Sequence, residues 1–171
     1  MDRKEELKKK LAINSFKNHI KENLSSFTLV KIYEHSEAEF AYYAEKIKDF
    51  RQFINAGELN EKINHIGNSH EHYYEWILSE IPTINDFDKW LVTSRDSRGY
   101  WAEVKAGSRF DSIRELWHED KKSDGQIGGY SLGFFAINTS INMIIDVHCY
   151  LGGQDRGYNS EDYFTLSTLK I

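Results

Sequence analysis

Apolar residues recur at helical spacing in the first half of the chain and at alternate positions in the second half. The clearest helical stripe steps by three and four residues through Phe40, Tyr43, Ile47, Phe50 and Ile54. With a Ser36–Glu39 capping box before it and Gly57 after it, this stripe predicts an amphipathic helix.

Three further helices are predicted in the first half. The N-terminal helix has a basic surface and an apolar stripe at roughly four-residue spacing: Leu7, Leu11, Phe16, Ile20 and Leu24. A short helix is predicted over 59–66, and another from Asn68 to just before Pro82, because helices rarely run through the residue before a proline. Residues 27–33 keep no single period, so they form either a short strand or an extended connection.

The second half has the period-two alternation of strands. Trp90–Arg95 and Tyr100–Lys105 flank a turn, and Ser108 is placed to cap a helix after them. Three more predicted strands follow: Tyr130–Ile137, Ile141–Leu151 and Tyr163–Lys170. The fold class is therefore predicted as α+β, with an N-terminal helical layer of about four helices packed on an antiparallel sheet of about five strands in ββαβββ order.

The chain of 171 residues shows no linker, so we expect a single domain with a helical part, 1–82, and a sheet-rich part, 83–171. Its net charge of −5 makes a general nucleic-acid binder a poor expectation, because phosphate contacts need a basic patch. Cys149 is the one cysteine, which rules out an intrachain disulfide. No signal-peptide run or membrane-length apolar segment is recognisable, and a cytoplasmic protein is expected.

An acid and an imidazole share one face of the predicted Ile141–Leu151 strand. Asp146 and His148 are two residues apart, so their Cα atoms are about 6.6 Å apart and their side chains can meet. A neighbouring aspartate raises the pKa of an imidazole, and the pair is half of a general acid–base arrangement. Asp146 and His148 are therefore the candidate catalytic residues, with a structural pair, a plain polar surface, or a contact with a partner or ligand as the alternatives.

A wider polar and aromatic patch is predicted if the Tyr100–Lys105 strand lies in the same sheet. Glu103 and Lys105 would then share the face of the acid–imidazole pair, with aromatic residues around them, as in many protein interfaces and equally on ordinary solvated sheet faces. We expect the binding residues to be Trp101, Glu103, Lys105 and Tyr150, with Arg156 in a long loop that follows.

Metal and cofactor sites are not predicted. His70 and His72 are two residues apart in a predicted helix, where they point in different directions, and His65 lies across a glycine break. Glu103-Val104-Lys105 resembles the Glu-x-Lys half of the PD-(D/E)xK nuclease signature, but the nearest preceding acid, Asp96, is about 10 Å away along the hairpin. The glycines of 125–133 run into a strand instead of opening a helix, so they make no phosphate cradle.

Three functions from different classes remain open. The first expectation is a small acidic binding protein that engages another protein, in the manner of an inhibitor or immunity protein. The second is a ligand-sensing domain, because β-β-α-β-β-β is also the element order of PAS-like domains, which would imply a small-molecule ligand. The third is a small hydrolase or nuclease that uses the polar sheet face.

Overall fold

The computed structural model describes residues 3–64, 73–93, 99–123, 132–150 and 163–171. Within them, four α-helices and seven strands follow one another in this order: α1 (Arg3–Asn23), β1 (Thr28–Glu34), α2 (Ala41–Ala56), β2 (Glu61–Asn64), α3 (Tyr73–Glu80), β3 (Lys89–Val92), β4 (Tyr100–Lys105), α4 (Arg109–Ser123), β5 (Leu132–Asn138), β6 (Met143–Tyr150) and β7 (Tyr163–Lys170).

The seven strands form one antiparallel sheet in the order β1-β4-β3-β5-β6-β7-β2. The α+β class and the number of helices agree with the prediction, and the second half has the predicted ββαβββ order. The sheet has seven strands instead of about five, because both edge strands, β1 and β2, come from the half predicted to be helical. Strands from both parts of the chain therefore lie in the same sheet.

The helix predicted over 59–66 is wrong, since Glu61–Asn64 forms strand β2. Apolar residues at 59, 63 and 66 fit a helix, but a segment this short gains little from helical spacing alone. Pairing with β7 decides the outcome, with Ile63 opposite Thr165. Tertiary context overrides local pattern most readily in short segments such as this one.

The helices cover both faces of the sheet, whereas one helical layer was predicted. On the first face α1, α3 and α4 pack on the larger apolar cluster, whose central members include Phe16, Ile77, Trp90, Val104, Ile113 and Ile145. On the second face α2 packs on a smaller cluster that includes Phe40, Ile47, Phe50, Leu91, Trp101, Ile137 and Ile144. The strands in the middle of the sheet therefore carry apolar residues on both faces.

The predicted helix ends are partly confirmed. Gly57 ends α2 in the left-handed conformation with φ of 68°, and the Ser108 hydroxyl accepts a hydrogen bond from the Asp111 N–H at 3.0 Å. The Ser36–Glu39 capping box is not formed, because a 3₁₀ turn (Ala38–Phe40) precedes α2 and the Glu39 carboxylate pairs with Lys31 on β1.

Candidate functional site

The acid and the imidazole predicted to meet on β6 are in contact. His148 Nε2 lies 3.0 Å from Asp146 Oδ2, and because an ionised carboxylate only accepts, the imidazole N–H donates to it. The Asp146 side chain is 8% exposed, whereas that of His148 is 44% exposed. A buried carboxylate thus holds a partly exposed imidazole in a fixed orientation, on the second face of the sheet.

The neighbouring strands extend this polar surface. Thr165 lies opposite His148 on β7, and Ser167 lies opposite Asp146, and both residues are buried. On the other side, Gly133 of β5 lies opposite His148. A Cβ atom at Gly133 would lie 1.8 Å from the Val147 carbonyl oxygen, so glycine is required there by the approach of the two backbones.

Glu103 belongs to a separate group near the β1 edge of the same face. Its carboxylate accepts a hydrogen bond of 2.8 Å from the Tyr33 hydroxyl and lies 3.4 Å from Lys89 Nζ. Burial of the phenol and then its hydrogen bond to Glu103 raise the pKa of Tyr33 to about 12. Burial, together with the Glu103 charge, also raises the pKa of Tyr43.

The two polar groups share a face, as predicted, but do not form one patch. In the order β4-β3-β5-β6, Glu103 and Asp146 lie three strand spacings apart, or about 14 Å across the sheet. The apolar residues Leu91, Ile137 and Ile144 lie between them under α2. Any chemistry at Asp146 and His148 therefore has no direct help from Glu103 or Lys105.

The remaining predicted binding residues are placed as follows. Trp101 is 5% exposed, with its ring 5.4 Å from that of Phe40, so it packs in the second apolar cluster. Lys105 is exposed on β4. The Tyr150 side chain and Arg156 lie outside the described residues, as do Asp96, His65, His70 and His72.

Phe87 is a surface residue that the sequence analysis missed. It is 64% exposed and has a φ of 64°, a left-handed conformation that is rare for a bulky side chain. Lys105 Nζ lies 5.5 Å from the centre of its ring. Its one sequence signal is a position between two aspartates in a stretch with turn-forming residues.

The two aspartates clamp the turn from both sides. Asp86 Oδ1 accepts a hydrogen bond of 2.8 Å from the Arg109 N–H at the start of α4. Asp88 is 6% exposed and accepts from the Asn85 N–H at 3.0 Å and from Asn138 Nδ2 at 2.8 Å. These contacts hold the backbone on either side of Phe87, so the residue stays at the surface, outside the core.

One lysine lies against the exposed ring, and a second lies opposite that lysine on the next strand. Lys105 of β4 lies directly opposite Lys89 of β3, and like charges in that arrangement repel. Glu103, two residues before Lys105 on the same face of β4, compensates part of this positive charge through its contact with Lys89. We call Phe87, Lys89, Glu103 and Lys105 the Phe87 patch.

Among the residues that the structure describes, no three His, Cys, Asp or Glu side chains come together as they would around a metal ion. None of the described helices combines the length and hydropathy needed to cross a bilayer. Comparisons of the chain with protein-family models, curated proteins and solved structures find no match. Function is therefore inferred from the side chains and their geometry.

Proposed function

We propose that this chain is a protein-binding protein and that the Phe87 patch is its contact surface. The observation that carries this proposal is a phenylalanine ring that is 64% exposed on a backbone with φ of 64°. Backbone strain of this kind costs about 1–3 kcal/mol and persists only where the surroundings enforce it. The Asp86 and Asp88 contacts enforce it here.

A partner would explain why a bulky side chain is kept at this position, where the flanking aspartates fix the backbone and glycine would fit without strain. Burial of the ring inside the molecule would offset the strain, but most of the Phe87 ring faces outward. An aromatic side chain has only two rotatable bonds and loses little conformational entropy on binding, and aromatic residues are enriched in the cores of interfaces. Lys105 beside the ring and Lys89 opposite Lys105 favour an acidic partner surface, although Asp86 and Asp88 flank Phe87 in the sequence and the chain itself has a net charge of −5.

The proposed mode of action is stoichiometric binding, as in inhibitors and immunity proteins, without a chemical step. Binding of an acidic partner would relieve the repulsion between Lys89 and Lys105 while the ring enters an apolar pocket. Association should therefore slow as the salt concentration rises, because opposite charges steer the encounter.

The test is affinity purification of the tagged protein from its host lysate, followed by native mass spectrometry. We expect a second polypeptide in defined stoichiometry with the wild type, lost with Phe87→Gly and retained with Tyr42→Ala. Tyr42 is a matched control, since it is an aromatic residue that is 50% exposed on α2. Recovery of the bare chain, or equal recovery of the partner with Phe87→Gly, would refute the proposal.

We propose hydrolysis at the β6–β7 face as the second candidate function. The observation that favours it is the hydrogen bond of 3.0 Å between the buried Asp146 carboxylate and the partly exposed His148 imidazole. Thr165 and Ser167, which both carry hydroxyl groups, lie opposite this pair on β7. In this reaction His148 would remove a proton from a water or hydroxyl nucleophile, and Asp146 would stabilise the imidazolium. The test is activity on a panel of activated esters and phosphodiesters. Activity of the wild type that is lost in the His148→Gln variant would support this function, and equal turnover by the wild type and the variant would refute it.

A further inference from the structure

A groove between α1 and the open edge of β1 is a second candidate binding surface, besides the Phe87 patch. Two adjoining cavities of about 310 and 290 Å³ form it, and both are lined by Lys17 of α1 and Leu29 of β1. The first cavity continues along β1 towards Glu34, and the second continues towards Phe27. The groove therefore follows the length of the edge strand.

The outer edge of β1 can pair with an additional strand. It pairs with β4 on one side and is the outermost strand of the described sheet. The register shifts between Leu29 and Lys31, so the regular ladder runs from Lys31 to Glu34. Val30, at this bulge, is 51% exposed and lines the groove. An added strand would pair with the regular part and place its following side chains in the cavity beyond the bulge.

The charges change sign along the groove. Glu34 and Glu37 line the first cavity, where β1 finishes, together with Lys17 and Lys31. The second cavity, near the start of β1, is lined by Lys17 and Lys21 and by no acidic residue of the described chain. Lys9 pairs with Glu34; this hydrogen bond raises the pKa of Lys9, and the Glu37 charge adds to the effect. Lys31 pairs with Glu39 and Lys9 pairs with Glu34, so Glu37 is the acid at this end that a basic residue of a ligand would contact.

The end of the groove lined by Lys17 and Lys21 has the opposite balance of charge. Glu115 is an acid near the turn after α1, but its carboxylate accepts hydrogen bonds from the Ser25 hydroxyl and the Ser26 N–H. It does not line the groove, whereas both Lys17 and Lys21 do. The floor between the two charged ends is apolar and includes Ile13, Ile20, Leu24, Leu29 and Ile32.

We propose that this groove binds an extended peptide segment of a partner protein as an additional antiparallel strand on β1. Antiparallel pairing places the start of the peptide beside Glu34 and Glu37, and its end beside Lys17 and Lys21. The segment therefore begins with basic residues, alternates apolar residues over the floor, and ends with acidic residues. This inference rests on the proposed function only in that both concern protein binding, because the groove and the Phe87 patch share no residue.

The test is fluorescence anisotropy with the labelled peptide Lys-Arg-Thr-Val-Thr-Val-Ser-Asp-Glu and with the same residues in reverse order. We expect saturable binding of the first peptide with a Kd below about 1 mM. The Lys17→Glu/Lys21→Glu variant should bind about tenfold more weakly, and Lys48→Glu, an exposed lysine on α2, should bind like the wild type. The Phe87→Gly variant should also bind like the wild type, which separates a failure of this inference from a failure of the proposed function.

Amide hydrogen exchange on the complex locates the peptide. Protection that rises within residues 30–34 supports strand addition at β1. Absence of saturable binding, equal or tighter binding of the reversed peptide, or protection confined to another strand would overturn the proposal.

Discussion

Replacement of Phe87 by glycine should give a more stable protein than replacement by alanine. Both changes delete the ring and its contact with Lys105, so the variants differ by one Cβ atom on a backbone with φ of 64°. The left-handed conformation costs a residue with a Cβ about 1–2 kcal/mol. Glycine avoids that cost but loses about 0.5–1 kcal/mol more through the flexibility of its unfolded chain.

The balance favours glycine by about 0.5–1 kcal/mol in the free energy of unfolding, or about 1–4 °C in Tm for a chain of this size. Urea unfolding followed by circular dichroism measures the difference directly, provided that both variants have the same m value. Tyr42 supplies the control pair, because it is exposed in the first turn of α2. There the order reverses, and glycine should be less stable than alanine by up to about 1 kcal/mol.

One result would refute this reasoning. If Phe87→Gly is no more stable than Phe87→Ala while the Tyr42 pair shows the usual helical order, the backbone at Phe87 is not held in the left-handed region. The strain that supports the protein-binding proposal would then be absent. Greater stability of Phe87→Gly over Phe87→Ala, together with lost partner binding, would instead assign the strained ring to function.

Three further outcomes are expected. Gly133→Ala should lower the free energy of unfolding by about 2–3 kcal/mol in urea titrations, because the new Cβ would lie 1.8 Å from a carbonyl oxygen of β6. Because the pKa of Tyr33 is raised to about 12, the folded state keeps a proton that the unfolded state loses near pH 10. The free energy of unfolding should therefore fall between pH 10 and 12, and more steeply in the wild type than in Tyr33→Phe. His148→Ala should destabilise the fold by about 1–3 kcal/mol in thermal unfolding, since it leaves the Asp146 carboxylate, with its side chain 8% exposed, without this donor.

The local sequence pattern predicts the elements that have a long periodic stripe of apolar residues or a capping residue at their end. The α2 stripe, the Gly57 end and the Ser108 cap are all present, and β4 and β7 have the predicted bounds. The meeting of Asp146 with His148 follows from the period of a strand alone, because residues two apart share a face. These features depend on neighbours close in the sequence.

The missed features depend on partners far away in the sequence. Strand β2 exists because β7 offers it an edge about a hundred residues later, and α2 lies on the second face because Leu91, Ile137 and Ile144 are apolar there. The conformation of Phe87 is set by Arg109 and Asn138 through the flanking aspartates. A single sequence gives no information on which distant groups will meet, so strand order and turn strain could not be predicted.

The two proposed surfaces converge at the start of β1. Thr28, the first residue of β1, pairs with Lys105, whose ammonium group lies against the Phe87 ring on the second face. The lysine end of the groove, with Lys21, lies beside Phe27 on the first face. A peptide that leaves the groove past Thr28 would thus reach the Phe87 patch after crossing a single sheet edge. An acidic segment long enough to pass around the start of β1 would meet Lys21 on the first face and Lys105 on the second, and binding at one surface would raise the effective concentration at the other.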